Sequence, residues 1–276
     1  MADTVSFPID TPAGERTVEV VYERLGAGEP LVLLHGIGHH LQVWDPVAGL
    51  LAAERDVIAV DLPGFGQSPA LPDGIPYGLP GVVPVLGALF EALGIHQPHV
   101  AGNSLGGLVA LQLGREKLVR SVTAISPAGF WSEAERRYAF GILWALRRGA
   151  LTLPPGAVAR LARTTAGRAA MLSTLYARPG RRTPDSVTAE TRAMRESTGF
   201  DATLRVGRSV RFTDDIPDIP VTIAWGARDR LLLRRQGVRA KEVIPGARLV
   251  RLPGCGHVAM SDDPALTARV ILDASR

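Results

Sequence analysis

The chain has one cysteine, Cys255, and two lysines, Lys117 and Lys241. A single thiol forms no internal disulfide and supplies no thiolate cluster for zinc, a usage suited to a reducing compartment. No apolar run approaches the roughly 18 residues of a membrane span. Met1-Ala2-Asp3-Thr4-Val5-Ser6-Phe7 lacks the basic start and apolar stretch of a secretory signal. The expectation is a cytoplasmic protein with no membrane association. Aromatic residues make up 5% of the chain and do not interleave with the cations, so nucleic acid is not an expected partner. No acidic cluster marks a metal site, no cofactor is expected, and repeats and low-complexity tracts are missing.

Aliphatic sequence punctuated by glycine fills the space these absences leave. Hydrophobic residues reach 46%, and 276 residues are enough for one large domain, with or without an insertion. Short apolar runs predict buried strands at Leu31–Leu34, Val57–Val60, His99–Ala101, Ser121–Ile125, Val221–Trp225 and Arg248–Leu252. Helical stretches are expected between most of them, at about 46–54, 82–93, 105–116, 234–243 and 264–274. Pro80, Pro84 and Gly87 make 82–93 the weakest of these. That alternation implies an α/β protein whose mostly parallel sheet is covered on both faces. The alternating segment 17–23 suits an antiparallel edge strand.

The alternation stops between residues 128 and 213. Helical patches at Ser132–Arg148, Ala157–Tyr176 and Ser186–Thr198 replace it, separated by Pro154-Pro155 and Arg178-Pro179-Gly180. The organisation is therefore read as a core of 1–127 and 214–276 with a helical insertion at 128–213. Net charge is +4, yet residues 131–211 hold fifteen arginines and only six carboxylates. The preferred reading is a solvated helical surface. The competing one is steering of anionic substrates toward a nearby cleft.

One pentapeptide concentrates the chemistry. Gly102-Asn103-Ser104-Leu105-Gly106 follows a strand and opens a helix. Such spacing puts a serine on a sharp turn near helix N–H groups, with glycines two residues either side because Cβ atoms would collide across the turn. A serine nucleophile needs a base, itself oriented by a carboxylate. Of the six histidines, His96 and His99 lie at the wrong end of the strand. His35 closes the Leu31–Leu34 strand, and His257 follows the flexible Pro253-Gly254-Cys255-Gly256 turn. His257 is the expected base. Asp229, after the 221–225 strand and a Gly226 turn, is the preferred acid. Asp61 precedes a Leu62-Pro63-Gly64 turn that a carboxylate would cap, and Asp262-Asp263-Pro264 reads as a helix N-cap.

The order Ser104, Asp229, His257 resembles that of the α/β-hydrolase fold superfamily. His35-Gly36-Ile37-Gly38, Asp61-Leu62-Pro63-Gly64-Phe65-Gly66-Gln67-Ser68, Gly102–Gly107, Gly226-Ala227-Arg228-Asp229 and Gly256-His257 are similar to its motifs in its order. The resemblance implies an α/β-hydrolase core with a helical cap and a Ser-Asp-His triad. It also implies an oxyanion hole from the backbone N–H groups of Ile37 and Leu105, and a loop-supporting role for His35. Gly107 would allow close helix–sheet packing, and Trp44 and Cys255 are read as packing residues. Ser104 stands where haloalkane dehalogenases and soluble epoxide hydrolases carry an aspartate nucleophile. Carbon–carbon bond hydrolases of ring-fission products share the triad but commonly place an aromatic after the histidine, where this chain has Val258. The expected activity is hydrolysis of a small acyl compound, first a carboxylic ester. The alternatives are carbon–carbon hydrolysis and a ligand receptor with little turnover. Phe130, Trp131 and Trp144 are the candidate pocket aromatics.

Overall fold

The computed structural model describes residues 2–12 and 14–276. Its centre is an eight-stranded sheet of β1 (Asp3–Thr11), β2 (Gly14–Gly26), β3 (Pro30–Leu34), β4 (Asp56–Val60), β5 (His99–Asn103), β6 (Ser121–Ile125), β7 (Val221–Gly226) and β8 (Arg248–Leu252). The order is β1-β2-β4-β3-β5-β6-β7-β8. β1 and β2 pair antiparallel, β2 joins β4 antiparallel, and every other pairing is parallel. All residues of β4, β5, β6 and β7 are buried, as continuous apolar runs between helical layers require.

Both edges differ from expectation. β1 escapes sequence reading because Phe7 is its only fully buried residue and Pro8 interrupts its strand character. β8 is an exposed edge rather than a buried strand: only Leu252 is fully covered, while Arg248 and Arg251 face water.

The core helices are α1 (Asp45–Ala52), α2 (Leu79–Ala92), α3 (Leu105–Arg115), α9 (Arg235–Val243), α10 (Ala259–Asp262) and α11 (Pro264–Ala274). α2 tolerates Pro84 because the carbonyl that loses its partner belongs to the first turn, at Pro80, and a buried apolar face of Val83, Leu86 and Leu89 outweighs one lost bond.

Between β6 and β7 lies the insertion: α4 (Glu133–Thr152), α5 (Pro155–Ala162), α6 (Thr165–Leu172), α7 (Pro184–Glu196) and α8 (Phe200–Gly207). Local chemistry sets its boundaries. Ser132 and Glu135 form a reciprocal capping box at the start of α4. Thr164 caps Gly167 and thereby splits the expected 157–176 segment into α5 and α6. The sequence reading did not include α8. Several insertion arginines are not surface coating. The Arg147 guanidinium donates to the carbonyls of Arg195 (3.0 Å) and Ser197 (3.1 Å). Arg195 donates to Ala150 (2.6 Å), and Arg168 to Ala162 (2.7 Å) and Gly180 (3.0 Å). Each satisfies carbonyls that helix ends leave without a partner.

Candidate active site

Ser104 sits where β5 turns into α3, with φ 56° and ψ −113°. Such a conformation costs a residue with a Cβ about 1–3 kcal/mol, and its surroundings must enforce it. Two glycines make that enforcement possible. A Cβ on Gly102 would lie 2.1 Å from the Gly106 carbonyl oxygen, across the turn. A Cβ on Gly106 would lie 2.1 Å from the Leu34 carbonyl oxygen, so this glycine answers to the neighbouring β3 and not to the turn. The Ser104 N–H donates to the Ile125 carbonyl (3.0 Å), and its carbonyl accepts from Leu108 and Ala128 (both 3.0 Å). The hydroxyl makes no hydrogen bond among the described residues, to His257 or elsewhere.

Asp229 and His257 are brought together from the loops after β7 and β8. The Asp229 Oδ2 lies 2.8 Å from His257 Nδ1. Its Oδ1 accepts from the N–H groups of Leu231 (2.9 Å) and Leu232 (2.8 Å), which holds the carboxylate in place. A carboxylate only accepts, so the imidazole proton resides on Nδ1 and leaves Nε2 with a lone pair. The Asn103 amide donates to the Ile125 and His257 carbonyls (both 3.0 Å), joining the serine turn to the histidine loop.

His257 is also gripped by the insertion. Its N–H donates to the Leu175 carbonyl (2.8 Å), and that of Val258 does the same (3.1 Å). Asp262 accepts from Gly256 (2.8 Å), Ala177 (2.9 Å) and Arg178 (3.0 Å). It is therefore a brace between the histidine loop and the insertion. Asp263 alone is the N-cap of α11, through Leu266 (3.0 Å). No local pattern distinguishes the two, because two of Asp262's three partners, Ala177 and Arg178, lie more than 80 residues away. Asp262→Asn keeps one good acceptor and turns the other toward N–H donors. The expected result is a loss of about 1–3 kcal/mol in chemical denaturation with a fall in turnover well short of Asp229→Asn.

The N–H groups of Ile37 and Leu105 donate to no acceptor among the described residues. The Ile37 loop approaches closely: a Cβ on Gly36 would stand 3.2 Å from Ser104 Cβ. His35 holds this loop by accepting from the Leu62 N–H (3.0 Å) and donating to the Gly36 carbonyl (2.7 Å). Burial lowers its pKa, which keeps it neutral. Asp61 accepts from the N–H groups of Leu41 (2.6 Å) and Gln67 (2.8 Å), and so works as a loop cap.

Ser104 and His257 line one cavity with Ile37, His39, Leu143 and Met194. Ser104 also faces a second, apolar space beside Leu105, Trp131 and Phe140. A chamber of about 260 Å³ adjoins the first cavity, sharing His39, Leu146, Leu175 and Met194 with it. The larger cleft, about 500 Å³ beside Gln67, Arg182 and Glu190, touches neither Ser104 nor His257. His39, which the sequence reading did not single out, is buried, and its side chain makes no hydrogen bond. Burial is the main cause holding its pKa well below the usual value, so it is neutral.

Of the three candidate aromatics, Trp131 lines the apolar space beside Ser104. Phe130 packs against Phe212 with ring centroids 5.7 Å apart. Trp144 is 60% exposed on the outside of the insertion. Cys255 is buried, and burial with Asp262 and Asp263 nearby pushes its thiol up to about 12, so it remains an inert protonated side chain.

Residues 29–264 match the family model described as alpha/beta hydrolase fold. An uncharacterized protein of Mycobacterium tuberculosis is 30% identical over 258 residues, covering 87% of this chain and 73% of that protein. A pimeloyl-[acyl-carrier protein] methyl ester esterase of Aeromonas hydrophila is 40% identical over 121 residues, or 43% of this chain and 46% of that protein. Among solved structures, a thermophilic esterase from Thermogutta terrifontis superposes with a TM-score of 0.75 at 21% identity, covering 98% of this chain and 97% of the other. The chain belongs to the alpha/beta hydrolase fold family.

Proposed function

We propose that this protein is a serine hydrolase that cleaves a small acyl compound, a carboxylic ester first, through an acyl-enzyme. The observation that carries the reading is His257, held by Asp229 at 2.8 Å, in one cavity with a strained, unbonded Ser104. His257 Nε2 takes the Ser104 hydroxyl proton as Oγ attacks the carbonyl carbon. The carbonyl oxygen becomes an oxyanion and accepts from the free N–H groups of Ile37 and Leu105. Asp229 stabilises the imidazolium without taking its proton. The tetrahedral intermediate then collapses: the bond from carbon to the leaving oxygen breaks, and His257 returns the proton to that oxygen. Water, deprotonated by the same Nε2, attacks the acyl-serine and releases the acid and the free serine.

The apolar spaces on either side of Ser104 suit uncharged groups on both sides of the scissile bond. A panel of p-nitrophenyl esters of increasing acyl length, with a ring-fission product alongside, tests the reading on wild type and Ser104→Ala. Saturable ester turnover that the variant loses is the expected outcome. Faster turnover of the ring-fission product would replace ester cleavage by carbon–carbon hydrolysis. Binding without turnover of anything would make the protein a receptor.

A further inference from the structure

The basic insertion has a feature that ester chemistry does not use. Residues 136–184 contain ten arginines and no aspartate or glutamate. Some of those arginines are occupied with helix-end carbonyls, as described above. Arg148, Arg160 and Arg163 are not: they are exposed and paired with nothing among the described residues. Exposed apolar side chains stand among them. Trp144 is 60% exposed, Leu151 45%, Leu161 38% and Leu153 37%. Trp144, Arg148 and Leu151 follow at i, i+4 and i+7, which places them along one face of α4.

Solvated helix surfaces normally mix both signs of charge. Between residues 136 and 184 the exposed charges are all cations, with large apolar groups beside them, the composition of helices that lie in a bilayer interface. There the arginines meet lipid phosphates and the indole settles at headgroup depth. The 260 Å³ chamber adjoining the Ser104 cavity is lined by Ala145, Leu153 and Ala170, which are themselves exposed. The residues of α4 and its C-terminal end that line it, Ala145, Gly149 and Leu153, lie on a different side of the helix from Trp144, Arg148 and Leu151, so docking by that stripe does not cover the chamber.

We infer that the exposed Trp144, Arg148 and Leu151 stripe of α4, with Arg160, Leu161 and Arg163 at α5, docks the protein onto an anionic lipid surface. No helix among the described residues is long and apolar enough to cross a membrane, so the proposed contact is peripheral. The apolar groups disfavour an acidic polypeptide as the occupant, since a purely electrostatic partner has no use for an exposed indole and three leucines. The inference stands apart from the ester reading, because docking requires no turnover.

Tryptophan emission tests it directly. Trp44, Trp131 and Trp225 are buried, so a change in solvation at the surface reports on Trp144. The probe is a vesicle of equal parts phosphatidylglycerol and phosphatidylcholine, compared with pure phosphatidylcholine and with polyglutamate. The expected result is a blue shift and co-sedimentation with the anionic vesicles, both reversed by salt. Trp144→Ser abolishes the shift. Each arginine near an anionic surface is worth roughly fivefold in affinity, so the triple variant Arg148→Glu, Arg160→Glu, Arg163→Glu should bind about 10²-fold more weakly or worse. Circular dichroism and turnover of a short soluble ester should be unchanged in both variants. No shift with anionic vesicles, equal binding to phosphatidylcholine, or unweakened binding by the triple variant would each overturn the proposal. An equal shift with polyglutamate would assign the face to an acidic polypeptide instead.

Discussion

Ser104→Ala is expected to abolish labelling by a fluorophosphonate probe and to lower ester turnover about 10³-fold or more. An activated serine attacks the phosphorus centre and displaces fluoride, leaving a stable covalent adduct on Oγ. The substitution is clean because the Ser104 hydroxyl makes no hydrogen bond, so its removal leaves no buried group without a partner. The variant should fold and melt like wild type. Ser104→Gly should be equally inactive yet more stable, because glycine relieves the strain at φ 56°. That combination separates a nucleophile held under strain from a serine needed for structure. Labelling that persists in Ser104→Ala would remove this residue from the chemistry.

Asp229→Asn should lower turnover on the order of 10⁴-fold with little change in fold. The remaining amide oxygen can still accept from Leu231 and Leu232, which now bond Oδ1. The amide nitrogen then faces His257 Nδ1 and donates to it. The imidazole proton is forced onto Nε2, where it blocks the lone pair that must take the serine proton. Asp61→Asn makes the contrasting case. Asp61 accepts from Leu41 on one oxygen and from Gln67 on the other. An amide leaves one of those N–H groups facing another donor, at a cost of about 1–3 kcal/mol in stability. Denaturation midpoints and turnover measured on both variants distinguish the roles. If Asp61→Asn were the inactive protein and Asp229→Asn the active one, the acid would have to be reassigned.

Legibility followed the range of the interactions involved. The Ser104 turn and the apolar β3 to β7 runs are decided largely by neighbours a few residues apart, and each was readable. The need for Gly106, by contrast, comes from the Leu34 carbonyl of β3, and α5 and α7 start two residues before the expected positions, at Pro155 and Pro184. β8 was misread because its apolar run is too short to reveal that nothing covers its outer face. β1 went unread because pairing with β2, and not its own composition, makes it a strand. α8 was absent from the reading for a similar reason: residues 200–207 are helical against a partner surface, with Phe200 and Leu204 buried.

At the candidate site, the sequence by itself put forward Ser104, Asp229 and His257, because each follows a recognisable strand end, and the structure sets Asp229 2.8 Å from His257 with His257 and Ser104 lining one cavity. It also carried the charge excess of the insertion. Only the tertiary structure decided that Asp262 braces the histidine loop while Asp263 caps a helix. It alone decided that Arg147, Arg168 and Arg195 bond carbonyls while Arg148, Arg160 and Arg163 face water, and that Trp131 lines a cavity while Trp144 lies outside. The physical reason is common to these cases. A side chain's role depends on which distant groups are left needing a hydrogen bond or cover from water, and chain spacing does not record them.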